Sequence, residues 1–349
     1  MKIAPIVSAM AQCSNSFDQF LVHTGQHYDV NMSQVFFEEL DLPRPEVNLE
    51  VGSGSHAWQT AQIMLRFEPV LLEYRPDWVL VPGDINSTLA CALVASKLGV
   101  RVAHVEAGLR SFDRTMPEET NRILTDQVSD LLFTPSEDAD QNLLREGISQ
   151  AKIRLVGNVM IDTLVRLLPR AEERWPKLRH QLNLGDYLLV TLHRPSNVDD
   201  PATLSEIMRA LQRIGCDIKV VFPVHPRTRA KLAQAGSTEG RSGIHLVQPF
   251  GYLDFLALQA HAALVLTDSG GVQEETTYLG VPCVTARPNT ERPITVRHGT
   301  NQLVESTCEA LTRVMVERLH AKQAEHYTVP PLWDGHTADR IVRILAAQS

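Results

Sequence analysis

The sequence predicts an α/β fold built from two doubly wound, Rossmann-like domains. Short apolar runs alternate with amphipathic helical segments along most of the chain, which is the pattern of parallel sheets flanked by helices. A charged, poorly patterned stretch at 170–183 separates two such sets. With 349 residues, the chain is long enough for two domains of ordinary size. We therefore expect an N-terminal domain over 1–168, a C-terminal nucleotide-binding domain over 169–330, and a final helix within 331–349 that packs back on the first domain.

The first set contains strands that end in Gly, Pro or acidic residues and helices with apolar residues three or four apart. The predicted helices of this set lie at 2–13, 58–74 and 87–98. The predicted strands lie at 20–22, 78–81, 100–105, 131–133 and 154–156. The second set contains predicted strands at 187–192, 219–222, 244–247, 263–267 and 282–285.

The unusual polar side chains follow the predicted strands directly. Open α/β sheets bind their ligands beyond the carboxyl ends of the strands. If two such sheets face each other, these residues share one cleft. They are His27, Asp84, Glu106, His193, His225, Ser269 and Arg292.

Composition excludes several classes of protein. The formal net charge of −8 gives no general attraction to nucleic acid or to a membrane. Five scattered cysteines without a Cys-x-x-Cys pair favour neither a disulfide framework nor a zinc site, and no leader or membrane-spanning run is visible, so we expect a cytoplasmic protein without a metal. The absence of a Gly-x-Gly-x-x-Gly loop, a Walker sequence and a nucleophile elbow argues against a dehydrogenase, a P-loop NTPase and an α/β-hydrolase.

The run from Leu264 to Glu275 is the most informative segment. It predicts a buried strand, a helix N-cap at Asp268 and Ser269, and a close ligand approach at Gly270 and Gly271. Unpaired N–H groups and the positive dipole end of the next helix suit a phosphate, and the glutamates that follow could bind ribose hydroxyls. An ordinary capped helix is the plain alternative.

Carboxylates and histidines at the other strand ends suggest acid–base chemistry beside a phosphate. Asp84, Glu106 and Glu118 form a candidate cluster in which mutual repulsion would raise one pKa. The structural alternatives are a helix cap for Asp84, a salt bridge to Arg110 for Glu106, and dipole stabilisation for Glu118. His193 precedes Arg194, a pairing that often meets phosphate, while His225 more plausibly has a structural role.

Taken together, these runs resemble the non-hydrolysing UDP-N-acetylglucosamine 2-epimerases, a family with the GT-B type fold of many glycosyltransferases. The matching segments occur in the family's order and span nearly the whole chain. They are 2–5, 24–27, 83–84, 104–110, 117–122, 193–194, 223–226, 268–275 and 290–293.

The resemblance implies that UDP leaves C1 while a base removes the C2 proton, and that UDP then adds back to the 2-acetamidoglucal. It implies no cofactor, a homodimer and a role in cell-surface polysaccharide biosynthesis. The implied catalytic residues are Asp84, Glu106, Glu118 and His193. The implied substrate-binding residues are Lys2, Gln26, His27, His225, Phe255 against the uracil, Ser269, Gly270, Gly271, Glu275 at the ribose, and Arg292.

Two departures from the family pattern leave alternatives open. The family's first strand and Gly-Thr-Arg-Pro-Glu loop have no counterpart before Lys2, so we expect the strands at 20–22 and 78–81 to lack a partner, which makes a nucleotide-sugar-binding pseudoenzyme conceivable. Residues 24–29 and 36–40 look more like members that act on UDP-2,3-diacetamido-2,3-dideoxyglucuronate, which is the alternative substrate. A GT-B glycosyltransferase or a UDP-releasing hydrolase is the alternative from another enzyme class.

Overall fold

A computed structural model describes residues 1–13, 16–25, 39–224, 226–234, 243–321 and 327–348. The chain divides into two compact units: unit 1 is Met1–Thr163 with Pro331–Ser349, and unit 2 is Leu164–Pro330. None of the helices in these described ranges is long and apolar enough to span a bilayer.

The described strands are short, and all pair in parallel. They are β1 (Val22–His23), β2 (Val47–Asn48), β3 (Trp78–Pro82), β4 (Arg101–Val105), β5 (Leu131–Thr134), β6 (Ile153–Leu155), β7 (Tyr187–Thr191), β8 (Lys219–Pro223), β9 (Ile244–Val247), β10 (Leu264–Thr267), β11 (Cys283–Ala286) and β12 (Asn301–Val304).

The helices connect and cover these strands. They are α1 (Ala4–Gln12), α2 (His56–Tyr74), α3 (Asn86–Lys97), α4 (Pro117–Val128), α5 (Glu137–Arg145), α6 (Val159–Gln181), α7 (Pro195–Val198), α8 (Pro201–Ile214), α9 (Pro226–Gln234), α10 (Tyr252–Ala260), α11 (Gly270–Leu279), α12 (Ile294–Arg297), α13 (Cys308–His320) and α14 (Thr337–Ala346).

Unit 1 contains two sheets, β1-β2 and β3-β4-β5-β6. Strand β3 stands at the end of the larger sheet, and β1 pairs only with β2 among the described strands. Ala103 and Val105 belong to a core cluster with α1 and α14, so the alternating His104 projects from the opposite face of β4. The buried side chain of His104 therefore lies on the face of the sheet opposite α1 and α14.

The C-terminal helix α14 belongs to unit 1. Its apolar stripe, which includes Ile341 and Leu345, joins the core cluster of α1. The carboxylate of Asp162 accepts hydrogen bonds from the backbone N–H groups of Thr337 and Ala338, at 3.1 and 2.7 Å. A buried carboxylate on α6 thus caps the first turn of α14 and interacts favourably with the helix dipole of α14.

Unit 2 has one six-stranded parallel sheet in the order β12-β11-β10-β7-β8-β9. Because β10 lies directly beside β7, the loops after these two strands begin side by side; Thr267 is in register with Thr191. Strands β7 and β10 are buried nearly throughout, as central parallel strands are.

The predicted α/β class with two parallel-sheet halves is confirmed. Helix α6 runs through most of the stretch at 170–183, where the sequence indicates no element, and the division between the units falls inside it after Thr163. Two internal prolines and many charges hide its pattern, yet Leu167, Ala171 and Leu178 are buried at helical spacing. Strands β2 and β12 were also missed, because each is too short or too polar to show period-two patterning.

Candidate active site

Two of the predicted carboxylates of unit 1, Asp84 and Glu106, follow neighbouring strands at the same edge of the sheet. Pro82, at the end of β3, is in register with Val105, at the end of β4. The backbone N–H of Gly83 donates to the carbonyl of Val105 at 3.0 Å. Asp84 and Glu106 therefore begin adjacent loops, as the sequence predicts for the carboxyl ends of parallel strands.

Glu106 is buried and has an unusual backbone. Its φ is +68°, in the left-handed region that a non-glycine residue enters at a cost of about 1–2 kcal/mol. Its carboxylate forms an ion pair with the ammonium of Lys2, which also lies against Gly83. The alternative of a salt bridge between Glu106 and Arg110 is wrong, because Arg110 pairs with Asp126 and Glu146 instead.

Asp84 lies in a second ionic group, with Arg122 and Glu119 of α4. The Arg122 guanidinium is an ion-pair partner of Asp84 and donates to Glu119 Oε2 at 2.7 Å. Glu119 also accepts from the N–H groups of Ser111 and Phe112, at 3.0 and 2.8 Å. Burial opposes its ionisation, but these donors and Arg122 hold the pKa of Glu119 below its usual range. Arg122 therefore joins Asp84 to the loop that precedes α4.

Glu118 differs from its neighbour Glu119. It is half-buried in the first turn of α4, and within the described chain its carboxylate has no hydrogen-bond or ion-pair partner. Glu118 is thus the carboxylate of this group that retains capacity to contact a ligand.

A buried His–Asp pair lies beneath the two loops, and the sequence analysis missed it. His104 Nδ1 is 2.6 Å from Asp126 Oδ1, and His104 Nε2 is 2.8 Å from the carbonyl oxygen of Gly83. Asp126 Oδ2 accepts from Gly108 N at 3.1 Å and pairs with Arg110 at 2.7 Å. Burial opposes the ionisation of Asp126, but the charges of His104 and Arg110 lower its pKa.

In unit 2, the start of α11 follows β10 as predicted, but Asp268 is not its cap. The N-cap is Ser269, and the described side chains provide no cap to the first N–H groups of α11. The fully buried Asp268 carboxylate accepts from the N–H groups of His193 and Arg194, at 3.1 and 3.0 Å, and from the amide of Asn197 at 3.0 Å. Asp268 therefore fixes the loop after β7, and the N-terminus of α11 keeps its capacity for an anion.

The ring of His193 is oriented by the same carboxylate. His193 Nδ1 lies 3.0 Å from Asp268 Oδ1, while the side chain is 64% exposed. Burial opposes the ionisation of Asp268, but His193 and Asn197 lower its pKa. With Nδ1 bound to Asp268, Nε2 is the ring nitrogen that can donate to a ligand oxygen.

Arg292 lies directly beside Gly270 and is buried among carboxylates. A Cβ at Gly270 would collide with the Arg292 guanidinium, so the close approach requires glycine. Arg292 pairs with Glu274 at 2.7 Å and Glu291 at 2.8 Å. Burial works against ionisation of Glu291, yet Arg292, Arg287 and Arg194 hold its pKa far below its usual range. Arg292 thus adds positive charge behind the first turn of α11.

The remaining predicted contacts of unit 2 lie on α10 and α11. Glu275 is 3% exposed, and its Oε1 accepts from the hydroxyl of Tyr252 at 2.8 Å. Burial, with a further contribution from Glu274, raises the pKa of Glu275 to about 7. Phe255 is half-buried on the same helix as Tyr252. Three predicted binding residues, Gln26, His27 and His225, lie outside the described residues.

Sequence reasoning missed several buried polar and charged side chains that hold the site loops. These are His104 and Asp126 in unit 1, and Asn197 and Glu291 in unit 2. One signal was present: His104 and Asp126 are polar residues within otherwise apolar or amphipathic elements. Pairing across elements cannot be read from spacing, because 22 residues separate His104 from Asp126.

The chain is similar to known proteins over nearly its whole length. Residues 10–346 match the family described as UDP-N-acetylglucosamine 2-epimerase. The chain is 46% identical to the UDP-N-acetylglucosamine 2-epimerase of Methanocaldococcus jannaschii, over 99% of this chain and 95% of that protein.

A crystal structure of the Methanocaldococcus jannaschii UDP-GlcNAc 2-epimerase in complex with UDP-GlcNAc and UDP aligns with a TM-score of 0.91. The alignment has 46% identity and covers 99% of this chain and 96% of that one. A UDP-2,3-diacetamido-2,3-dideoxy-D-glucuronate 2-epimerase of Pseudomonas aeruginosa is 45% identical over 86% of this chain and 84% of that protein.

Proposed function

This chain belongs to the UDP-N-acetylglucosamine 2-epimerase family, and on that premise we propose that it interconverts UDP-GlcNAc and UDP-ManNAc. The observation that carries the proposal is the pair of loops after β3 and β4, which bring Asp84 and the buried, backbone-strained Glu106 to one sheet edge. Strain at a buried carboxylate is the kind of feature found at functional sites.

The reaction is an elimination followed by an addition. A carboxylate of unit 1 takes the C2 proton as the C1–O bond to UDP breaks, which yields UDP and a 2-acetamidoglucal. A proton is then delivered to the opposite face of C2, and a phosphate oxygen of UDP reattacks C1. Asp84, Glu106 and Glu118 supply these proton transfers, each within the capacity of a positioned carboxylic acid. Neither step transfers a hydride, so we expect turnover without added NAD, and we expect the same without added metal.

The residues of unit 2 stabilise the departing UDP. Breaking the C1–O bond builds negative charge on the β-phosphate, which the first N–H groups of α11, at Gly270 and Gly271, can stabilise by donating hydrogen bonds. The predicted backbone donor at Ser269 is occupied, because its N–H donates to Thr267 Oγ1 at 3.0 Å. His193 adds a donor through Nε2 when its ring carries both protons, because Nδ1 is bound to Asp268. Arg292 acts through its charge behind Gly270, from a largely buried position.

The nucleoside of UDP is assigned to α10 and α11. Phe255 offers a half-buried aromatic face to the uracil. Glu275 offers a carboxyl to the ribose hydroxyls, which requires that its oxygens serve both the ribose and Tyr252. Lys2 is assigned to the sugar end, because it lies against Glu106 and Gly83.

UDP-GlcNAc is favoured over the diacetamido-uronate substrate. The relative named for UDP-GlcNAc matches 99% of this chain, whereas the relative named for the diacetamido-uronate matches 86%. The glycosyltransferase and pseudoenzyme alternatives are not favoured either, since both relatives are named as 2-epimerases over most of their length.

The experiment is incubation of the purified protein with UDP-GlcNAc in D₂O, followed by NMR at C2. An epimerase incorporates deuterium at C2 of both epimers and releases no sugar. A hydrolase would release N-acetylmannosamine, and a binding protein would leave C2 protonated. Activity that required NAD, or that EDTA abolished, would contradict the proposed chemistry. UDP-2,3-diacetamido-2,3-dideoxyglucuronate, tested in parallel, decides the substrate.

We further propose that the protein is a homodimer that uses the exposed face of α2. Trp58, Leu65 and Leu72 are spaced seven residues apart and are 44%, 64% and 56% exposed, so they form one apolar stripe. The same stripe on a second copy is a self-complementary partner, as two-fold symmetry requires. Light scattering should give a dimer for the wild type and a monomer for the Leu65→Asp, Leu72→Asp double variant.

A cytoplasmic location is proposed from the thiols. All five cysteines are free, and burial raises the pKa of Cys91 to about 12 and that of Cys283 to about 11. The cytoplasm keeps free cysteines reduced, and the protonated thiols of Cys91 and Cys283 suit a structural role. Cell fractionation of the native host tests this location.

A further inference from the structure

The buried pair of His104 and Asp126 has no part in the proton transfers, yet it contacts both loops that carry them. Both side chains are completely buried. His104 reaches the backbone of Gly83, which immediately precedes Asp84. Asp126 reaches the backbone of Gly108, two residues after Glu106.

Hydrogen-bond chemistry assigns protons to both ring nitrogens of His104. A backbone carbonyl can only accept, so Nε2 carries a hydrogen and donates it to Gly83 O at 2.8 Å. Burial opposes the ionisation of Asp126, but Gly108 N and the Arg110 guanidinium donate to its Oδ2, and the charges beside it lower its pKa. The Asp126 carboxylate is therefore ionised, and Nδ1 donates to it at 2.6 Å. In this arrangement both ring nitrogens of His104 act as hydrogen-bond donors.

The two glycines that the pair holds are restricted in other ways. Gly83 has a φ of +73° and also donates through its N–H to Val105 O, at 3.0 Å. Gly108 has a φ of +79°, and a Cβ there would collide with the backbone of Ala139. Neighbouring backbone thus restrains both loops, and the His104–Asp126 hydrogen bond connects the two restrained glycines.

We infer that His104 and Asp126 are positioning residues that set the separation of Asp84 and Glu106 through the backbones of Gly83 and Gly108. The inference rests on the proposed function, because it assigns the pair to the chemical step of that reaction. Two carboxylates that exchange protons with one carbon need a fixed separation, and a displacement of about 1 Å can lower a rate about 100-fold. UDP binding is assigned to unit 2, so it should not depend on this pair.

Two substitutions of His104 separate positioning from simple packing. The Asn side chain of His104→Asn is too short to reach Gly83 O, whereas the Gln side chain of His104→Gln is long enough to donate to it. We expect kcat to fall about 10- to 100-fold in His104→Asn and to stay within about fivefold of wild type in His104→Gln. KM for UDP-GlcNAc and Kd for UDP should stay within about threefold in both, since those contacts lie elsewhere.

Glu146→Gln is the matched control. Glu146 accepts from Nε and Nη2 of Arg110, at 2.8 and 2.7 Å, at the solvent end of the same network. The substitution weakens the network without touching Gly83 or Gly108. We expect it to lower the thermal midpoint while kcat stays within about threefold of wild type. Equal losses of kcat in Glu146→Gln and His104→Asn would overturn the inference, as would an unchanged kcat in His104→Asn.

A measurement without turnover tests the same pair. Nitrogen-15 NMR of histidine-labelled wild type should show two slowly exchanging ring protons on His104 at neutral pH. An Nε2 without a proton would overturn the inference, because the hydrogen bond to Gly83 O would then be absent, and this spectrum decides the matter if His104→Asn does not fold. Wild-type turnover measured alongside tests the proposed function separately, because the spectrum does not depend on it.

Discussion

The replacement of Glu275 by Gln should make the protein more stable and its nucleotide binding weaker. Glu275 is 3% exposed and hydrogen-bonded to Tyr252, and it stands next to Glu274 in the sequence of α11. Burial, then the like charge of Glu274, raises its pKa from 4.5 to about 7. A glutamine keeps the size of the side chain and an acceptor for the Tyr252 hydroxyl, and it carries no charge.

The pKa gives the size and sign of the stability effect. Because the folded-state pKa is raised, the folded protein binds this proton more tightly than the unfolded chain does. Stability therefore falls as pH rises from 4.5 to about 7 and then stays level. At about 1.4 kcal/mol per pH unit, ionised Glu275 costs the folded state about 3 kcal/mol at pH 8. Glu275→Gln removes that cost at pH 8 and gains less than about 1 kcal/mol at pH 5.

Thermal denaturation at pH 5 and pH 8 measures the difference. For a unit of this size, about 3 kcal/mol corresponds to a rise in Tm of roughly 6–12 °C at pH 8. The matched control is Glu274→Gln, which breaks an ion pair with the buried Arg292 and should lower Tm at both pH values. The KM of Glu275→Gln for UDP-GlcNAc should rise about tenfold with kcat nearly unchanged, because ribose contacts are shared by the ground and transition states.

Two results would refute this reasoning. An equal Tm for wild type and Glu275→Gln at pH 8 would mean that the carboxyl is ionised in the fold at no cost. If the variant is stabilised as expected but its KM is unchanged, Glu275 is a structural residue and does not bind the ribose.

Three further predictions concern the other site residues. Asp84→Asn and Glu106→Gln should each lower kcat, measured by C2 deuteration, about 100-fold or more while UDP still binds. Small and equal losses of kcat would mean that the acidic cluster is structural. Gly270→Ala should displace the Arg292 guanidinium and raise the Kd for UDP about tenfold in calorimetry, whereas Gly185→Ala, where a Cβ meets nothing within 4 Å, should change neither Kd nor Tm. Asp268→Asn should cost about 3 kcal/mol of stability at pH 7. Since the folded pKa of Asp268 is lowered, its contribution is present above about pH 4 and is lost as pH falls through that lower value, so the difference in Tm between wild type and variant should shrink in melts below about pH 4.

The elements that the sequence predicts well are those with a strong local pattern. Strand β9 was placed at its observed bounds, and β3 and β4 within one residue at one end, because apolar runs of four or five residues bounded by Pro, Gly or charge have few other interpretations. The second half of α6 was not indicated, because Pro169 and Pro176 suggest breaks that the helix accommodates. Strand β2, with two residues, carries no periodicity at all.

For the site, the sequence predicted which loops matter better than it predicted what each side chain does. Asp84 and Glu106 were placed correctly at adjacent strand ends, because parallel topology determines that edge. The partners of buried charges were wrong or missing: Glu106 pairs with Lys2 instead of Arg110, and Asp268 binds the loop after β7 instead of capping α11. Such pairings depend on which elements become neighbours in space, and residue spacing contains no such information.

Both units place a buried carboxylate under the carboxyl end of their sheet and use it for the backbone of a neighbouring loop. Asp126 accepts from Gly108 N in unit 1, and Asp268 accepts from the N–H groups of His193 and Arg194 in unit 2. Desolvation makes a buried charge expensive, and replacing a whole buried ion pair by apolar residues of similar volume often gives equal or greater stability. What an apolar residue cannot do is bind a loop N–H in one direction. These two carboxylates therefore favour loop geometry over stability, at the loops to which the chemistry is assigned. If so, an apolar replacement of Asp126 such as Asp126→Leu, if it folds, should lose kcat while UDP still binds, because unit 2 retains its own carboxylate.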